Sequence, residues 1–359
     1  MSKKLKTVLW AALLLGVLIL IARGMKNNPE WRAFSWAQFT DNLLHVQISW
    51  LLVALLVTLL SYLLRALRWR EFLFPVKKTS VGTLLSAVVI GFAAVSLLGR
   101  AGELTRPIVL SRKGRLPFSV SVTVIIMERI FDSSVILILF LASLAWFRLG
   151  SGISVSHRIE FQVFTRVAAV VLTVLLAMVA VLFVFQANAV RWIDFIIERM
   201  RVIPQGFKQK LEAALKSFVD GLTFIRHPRP LINSLAYSFV LWLTVASGSY
   251  FVIRSFHIPF TYTEALVLLA FSAVGAVVQL PGVGGGYQAL TLFALVSFLG
   301  INPVAASAIT LLAWAIAFFP VVGIGVADLL RGGMSFRDLK QDAERELKTT
   351  MIEGPGAAS

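Results

Sequence analysis

Val81–Leu98 reads VGTLLSAVVIGFAAVSLL, and it runs straight into Gly99-Arg100-Ala101-Gly102-Glu103-Leu104-Thr105-Arg106-Pro107. The apolar run alone suffices to cross a bilayer as a helix. The residues after Leu98 argue against a crossing. Two glycines and the charges of Arg100, Glu103 and Arg106 arrive at once, a short return follows over Leu104–Leu110, and then come Arg112, Lys113 and Arg115. Basic residues also precede the run, at Arg65, Arg68, Arg70, Lys77 and Lys78. A full crossing would set two strongly basic loops on opposite sides, whereas Lys and Arg gather on the cytoplasmic side of membrane proteins. A re-entrant hairpin removes the conflict: the run enters from the cytoplasm, breaks at Gly99–Gly102 and returns. Irregular backbone at membrane depth is tolerated only where it lines a cavity or is buried in protein.

The rest of the chain fits that setting. Of its 359 residues 58% are hydrophobic and only 14% charged, against about 25% charged in a soluble domain. The apolar runs are continuous rather than alternating, which excludes a membrane barrel. The reading is an all-α polytopic membrane protein with about six spanning helices and two re-entrant hairpins, roughly eight hydrophobic segments in all. Spans are expected at Thr7–Ala22, Ile48–Ala66, Phe118–Phe147, Val163–Phe185, Leu231–Ile253 and Val304–Leu330. A second hairpin is expected over Glu264–Leu299, broken at Pro281-Gly282-Val283-Gly284-Gly285-Gly286.

Span, span, hairpin, span thus occurs twice, starting inside and then outside. That order defines an inverted repeat with halves of about 1–150 and 160–330 in one membrane domain, 1–330, followed by a cytoplasmic tail, 331–359. Discontinuous helices in inverted repeats are a transporter architecture, with binding where the breaks meet near the midplane. Between the halves, the basic segment 191–229 carries Phe207, Leu211, Leu215, Phe218, Leu222 and Ile225 at helical spacing. It reads as an amphipathic helix on the inner membrane face. Most Lys and Arg fall on segments this topology places inside, so the protein is expected in the cytoplasmic (inner) membrane with both termini cytoplasmic.

The formal charge of +16 follows from cytoplasmic loops that meet anionic lipid, and no basic–aromatic recognition module points to nucleic acid. With no cysteine and four scattered His residues, neither a disulfide nor a metal site is expected. No Lys-Ser/Thr follows the second glycine run and no strand precedes it, so it is not a nucleotide loop. No cofactor is expected.

Charges inside apolar runs carry the functional signal, since each costs roughly 2.5–3.5 kcal/mol to insert. Arg100 and Arg106 are candidates to hold a lipid phosphate, because guanidinium forks onto phosphate oxygens and stays charged at depth. Equally, Glu103 and Arg106 would brace the hairpin as a structural pair. Glu128 and Asp132 lie four apart on one helix face, with Arg129 offset by about 100°. Facing Arg100 or Arg106 they would neutralise a cavity, bind a proton or cationic head group, or lock two helices together. Gly282, Gly284 and Gly285 offer flexible backbone. Tyr287 opens a half-helix whose positive end favours an anion, and Gln288 and Gln279 add neutral hydrogen bonds. Arg65, Arg68 and Arg70 read as inner-face topology anchors rather than ligands.

The set Arg65-x-x-Arg68-Trp69, Gly99-Arg100-Ala101-Gly102-Glu103-x-x-Arg106-Pro107, Glu128-Arg129-x-x-Asp132 and Pro281-Gly282-x-Gly284-Gly285 resembles the flippase-like transmembrane domain of lysylphosphatidylglycerol synthases and their stand-alone relatives. The resemblance covers roughly Thr7–Leu330. It implies a membrane domain that moves a lipid with a modified head group between leaflets, here without the synthases' soluble aminoacyl-transferase domain. The family often has Glu soon after the second glycine run; Gln288 stands nearest that place here. The leading expectation is therefore a lipid transporter, not an enzyme, with an anionic-headgroup lipid as cargo and membrane proteins as further partners. An integral-membrane enzyme of lipid modification and an accessory subunit of a lipid-synthesis complex are the alternatives.

Overall fold

Local chemistry sets the helix ends. Ser80 accepts from the Thr83 amide at 3.2 Å, Thr261 and Glu264 close a reciprocal capping box, and Asn302 accepts from the Val304 amide at 2.9 Å just before Pro303. Each satisfies amides that a first helical turn leaves without partners. The computed structural model describes residues 34–150, scattered positions between 166 and 181, and 205–333 apart from 278 and 281–283. The expected spans at Thr7–Ala22 and most of Val163–Phe185, and nearly all of the tail, lie outside the described residues.

The helices are α1 (Trp36–Leu44), α2 (Ile48–Leu73), α3 (Val81–Leu98), α4 (Arg100–Glu103), α5 (Thr105–Gly114) and α6 (Phe118–Gly150). After them come α7 (Gln205–Gly221), a 3₁₀ turn (Thr223–Arg226), α8 (Pro228–Arg254), α9 (Tyr262–Ala276), α10 (Gly286–Phe293) and α11 (Pro303–Arg331). Between α9 and α10, Gln279–Leu280 pairs antiparallel with Gly284–Gly285. Among the described residues α2, α3, α8 and α11 are long and apolar enough to cross a membrane. The chain is an all-helical polytopic membrane protein. Helix α2 runs past its expected end at Ala66, to Leu73.

Helices α2 and α8 form an antiparallel spine. Along it, the Gln47 amide meets the Ser255 carbonyl, Trp50 stacks on Phe251, Arg68 reaches Ser238 and Glu71 reaches Asn233.

Both expected hairpins are present. Gly99, at φ +60°, turns the chain, and a Cβ on Gly102 would lie 2.3 Å from the Ala94 carbonyl oxygen. Further back, Gly91 faces the Arg106 side chain, so α5 returns antiparallel along α3. In the second hairpin a Cβ on Gly275 would lie 2.3 Å from the Gly286 oxygen, and Phe271 packs on Phe293 and Phe298. Gly102→Ala and Gly275→Ala each drive a methyl into backbone that cannot rotate away. Each is expected to cost about 1–3 kcal/mol, the usual range for overpacking, read as a lowered melting temperature in detergent.

Two apolar cores flank the middle. One joins Leu73, Leu84, Leu110, Val124 and Leu329, around the base of the first hairpin. The other joins Ala54, Phe140, Ile253, Leu268, Leu295 and Ala306, around the base of the second. The first lies where α2 and α11 end, the second where they begin. The hairpins therefore enter from opposite ends of the molecule. Their packing is reciprocal: α3 lies on α11 and α9 lies on α6.

The amphipathic segment is helical as expected, over Gln205–Gly221, but its end is not merely laid on a surface. Phe218 packs against the first core, and Leu222, Phe224 and Ile225 belong to it. Thr123 of α6 donates to the Phe218 carbonyl at 3.1 Å. Leu222 and Ile225, expected on the apolar face of a helix lying on the membrane, pack instead into this core, because the turn after Gly221 folds them inward.

Candidate functional site

Between the two cores the helices turn polar face to polar face. Arg65 and Arg68 come from α2, Arg106 from α5, and Glu128 and Asp132 from α6; all five are buried, Arg68, Arg106 and Glu128 completely. Arg106 Nη2 donates to both oxygens of Glu128, at 2.9 and 3.0 Å. Trp69 Nε1 donates to Glu128 Oε2 at 2.6 Å. Arg68 Nη1 bonds Asp132 Oδ1 at 2.5 Å and Ser238 Oγ at 3.1 Å. Trp242 Nε1 donates to the same Asp132 oxygen at 2.7 Å. The i, i+4 spacing of Glu128 and Asp132 puts both carboxylates before the arginines.

Arg65 is held differently. Its Nη1 stands 3.6 Å from Glu128 and 3.6 Å from Asp132, ion-pair distances too long for a good hydrogen bond. Its guanidinium lies over Phe92 at 4.8 Å and Trp242 at 5.3 Å. Phe92 also receives Arg106, at 4.5 Å. Aromatic faces stabilise cations in desolvated places, which explains how three guanidiniums share one site.

The charge does not balance. Three guanidiniums confront two carboxylates, leaving a positive surplus in the interior. Hydrogen bonding does not balance either. The Nε atoms of Arg65, Arg68 and Arg106, Nη2 of Arg68 and Nη1 of Arg106 are buried without an acceptor. Buried polar groups normally find partners, and here Asp132 Oδ2, an acceptor, shares the donors' lack of one.

Arg65 also borders a cavity of about 180 Å³ at mid-length of the spine. Thr58, Ser61 and Tyr62 line it from α2, Gly248 and Ser249 from α8, and Ala313 and Ala317 from α11. The hairpins reach it too, through Phe92 from the first and Ser272 and Tyr287 from the second.

Several sequence expectations meet here. Arg106, Glu128 and Asp132 converge. Glu103 lies 3.7 Å from Arg106, but its closer partner is Arg129, at 2.9 and 3.1 Å; that pair is half-exposed at the edge of the cluster. Tyr287 lines the cavity, Gly285 takes φ +75°, Gly284 lies in the short strand pair, and Gln288 is half-buried on α10. Arg100 begins α4, but its side chain, like Gly282, lies outside the described residues. The expectation for Arg65 and Arg68 is overturned: they are interior ion-pair partners, because α2 continues beyond them and carries them between α5, α6 and α8. Of that basic trio Arg70 alone stays near water, beside Glu71. Trp69 enters the sequence reading only within a motif, with no role, and Trp242, Phe92 and Ser238 do not enter it at all. The available signal was the helical spacing of Arg65, Arg68, Trp69 and Phe72.

A spine of antiparallel spans, two opposed hairpins and a charged waist define a multi-pass membrane protein of the broken-helix type. The chain matches the lysylphosphatidylglycerol synthase TM region over residues 7–325, and it belongs to that family. It is also 24% identical over 294 residues to a UPF0104 membrane protein of Pyrococcus horikoshii, covering 77% of this chain and 85% of that protein.

Proposed function

We propose that this protein carries a phosphate-bearing lipid between the leaflets of the cell membrane. The head group occupies the mid-depth cavity with its phosphate on Arg65, while the acyl chains stay in lipid. The observation that carries this reading is the positive surplus of three buried guanidiniums against two carboxylates, with its least committed member at the cavity wall. A phosphate there supplies the missing charge and an acceptor for Arg65, the arginine that lines the cavity, and guanidinium binds it in a forked geometry. The antiparallel spine and opposed hairpins support an inverted repeat, with halves of about 1–150 and 160–330. Alternating access then results from one hairpin opening as the other closes. Glu128 and Asp132 hold the arginines in place, and Glu103 with Arg129 guards the rim. Family membership supports a lipid-related role, and both termini are assigned to the cytoplasm.

Reconstitution tests the reading. Liposomes carrying a trace of headgroup-labelled phosphatidylglycerol leave about half the label protected from a membrane-impermeant quencher. With the protein present, that protected fraction is expected to decay. Retention of the protected half at high protein density would refute translocation of this lipid class. Conversion of the label to a new species in detergent, where leaflets no longer exist, would instead mark an enzyme.

A further inference from the structure

One turn along the spine from Arg68 and Ser238, a second polar pocket opens at the end of the molecule where α2 stops and α8 starts. Its volume is about 330 Å³, and Arg70, Glu71, Phe74, Lys78, Arg229 and Asn233 are among its walls. Glu71 is buried and fixed: Asn233 donates to it at 3.1 Å, and Arg70 stands 3.6 Å away. Lys78 and Arg229 are exposed, and neither has an acidic partner among the described residues. Three cations against one carboxylate make the pocket strongly positive. The helix end contributes little to this, because Pro228 and Pro230 remove two amide donors from the first turn of α8. The charge therefore comes from side chains.

A topology anchor requires only that a cation reach water, and the neighbouring Lys77 is spent on the carbonyls of Gly114 and Arg115. Lys78 and Arg229 instead converge from different segments over one cavity. Phe74, 52% exposed, stands on the rim as an apolar surface beside the charge. We infer that this pocket is a docking site for the phosphate head group of an anionic membrane lipid, with an acyl chain against Phe74. Phosphate is the shared chemistry of lipid and free anion; the exposed aromatic favours lipid. Cations then mark the spine in order: the pocket, Arg68, Arg65, the central cavity. The role of entry station rests on the translocation reading; the binding itself does not.

The chain has no cysteine, so Thr79→Cys gives a single labelling position on the pocket wall. The probe is a bimane there, in phosphatidylcholine nanodiscs, quenched by nitroxide-labelled phosphatidylglycerol or phosphatidylcholine. Phosphatidylglycerol is expected to quench at the lower mole fraction. Lys78→Gln with Arg229→Gln should raise that fraction about thirtyfold, from the loss of two interfacial cations, while Lys78→Arg keeps it. Both positions are exposed, so the melting temperature should hold. Equal quenching by the two lipids, or an unchanged double variant, would overturn the site. Full displacement of the lipid by inorganic phosphate would overturn its assignment to lipid. Arg65→Gln should leave this binding intact, so a protein that docks lipid here yet moves none refutes translocation and spares the pocket.

Discussion

Glu128→Ala is expected to destabilise the protein by about 3–5 kcal/mol, the cost of stranding one partner of a buried ion pair. The carboxylate is the keystone of the waist. It accepts two bonds from Arg106 and one from Trp69, and it lies 3.6 Å from Arg65 and 3.7 Å from Arg68. Its loss leaves Asp132 as the one buried carboxylate among three interior guanidiniums, with only the half-exposed Glu103 near Arg106 at 3.7 Å. Glu128→Gln keeps the volume and an acceptor but turns an amide donor toward Arg106, so most of the loss should persist. Equilibrium unfolding in mixed micelles reads both. The double variant Glu128→Leu/Arg106→Leu should recover much of the stability, because removing both charges removes the desolvation problem with them. A Glu128→Ala protein as stable as the parent would show that the interior is far wetter than its burial indicates.

The same geometry divides the roles that the sequence left open for Arg106. The two bonds that Arg106 Nη2 gives to Glu128 make it a structural pair first, so Arg106→Ala is expected to unfold the first hairpin from α6 rather than merely slow transport. In the proposed carrier the task of meeting a ligand passes to Arg65, which its place in the sequence assigned to the membrane edge. Hairpins were legible because glycine runs and charges interrupt otherwise sufficient apolar stretches, and at the first of them the charge bias argues against a crossing. The acid pair was legible because helical periodicity puts Glu128 and Asp132 on one face. Arg65 and Arg68 were not, because basic residues near the end of an apolar run ordinarily sit at the water boundary. Only the neighbouring Trp69 and Phe72, on the same stretch of helix, hinted that the span continues. Trp242 lies far from Asp132 in sequence, and periodicity within a helix says nothing about which distant indole meets a carboxylate. The same holds for Glu103, which local spacing assigns to Arg106 and the fold hands to Arg129.

Surplus charge also orders stability against function. The waist resembles a site kept unbalanced until cargo arrives, and sites of this kind commonly trade stability for activity. The substitution that balances it should separate the two quantities. In Arg65→Gln two guanidiniums face two carboxylates, and no good hydrogen bond is lost, because Arg65 holds its acids only at 3.6 Å. Stability is therefore expected to hold or rise. Translocation is expected to fall roughly 10- to 150-fold, since a charge-assisted hydrogen bond contributes about 1.5–3 kcal/mol. Arg65→Lys keeps the charge but not the fork, and should fall between. The liposome assay gives the rate and micelle unfolding the stability, on the same preparations. Wild-type translocation by Arg65→Gln, or a loss of stability to match Glu128→Ala, would place Arg65 among the structural arginines and leave the cavity without its anion receptor.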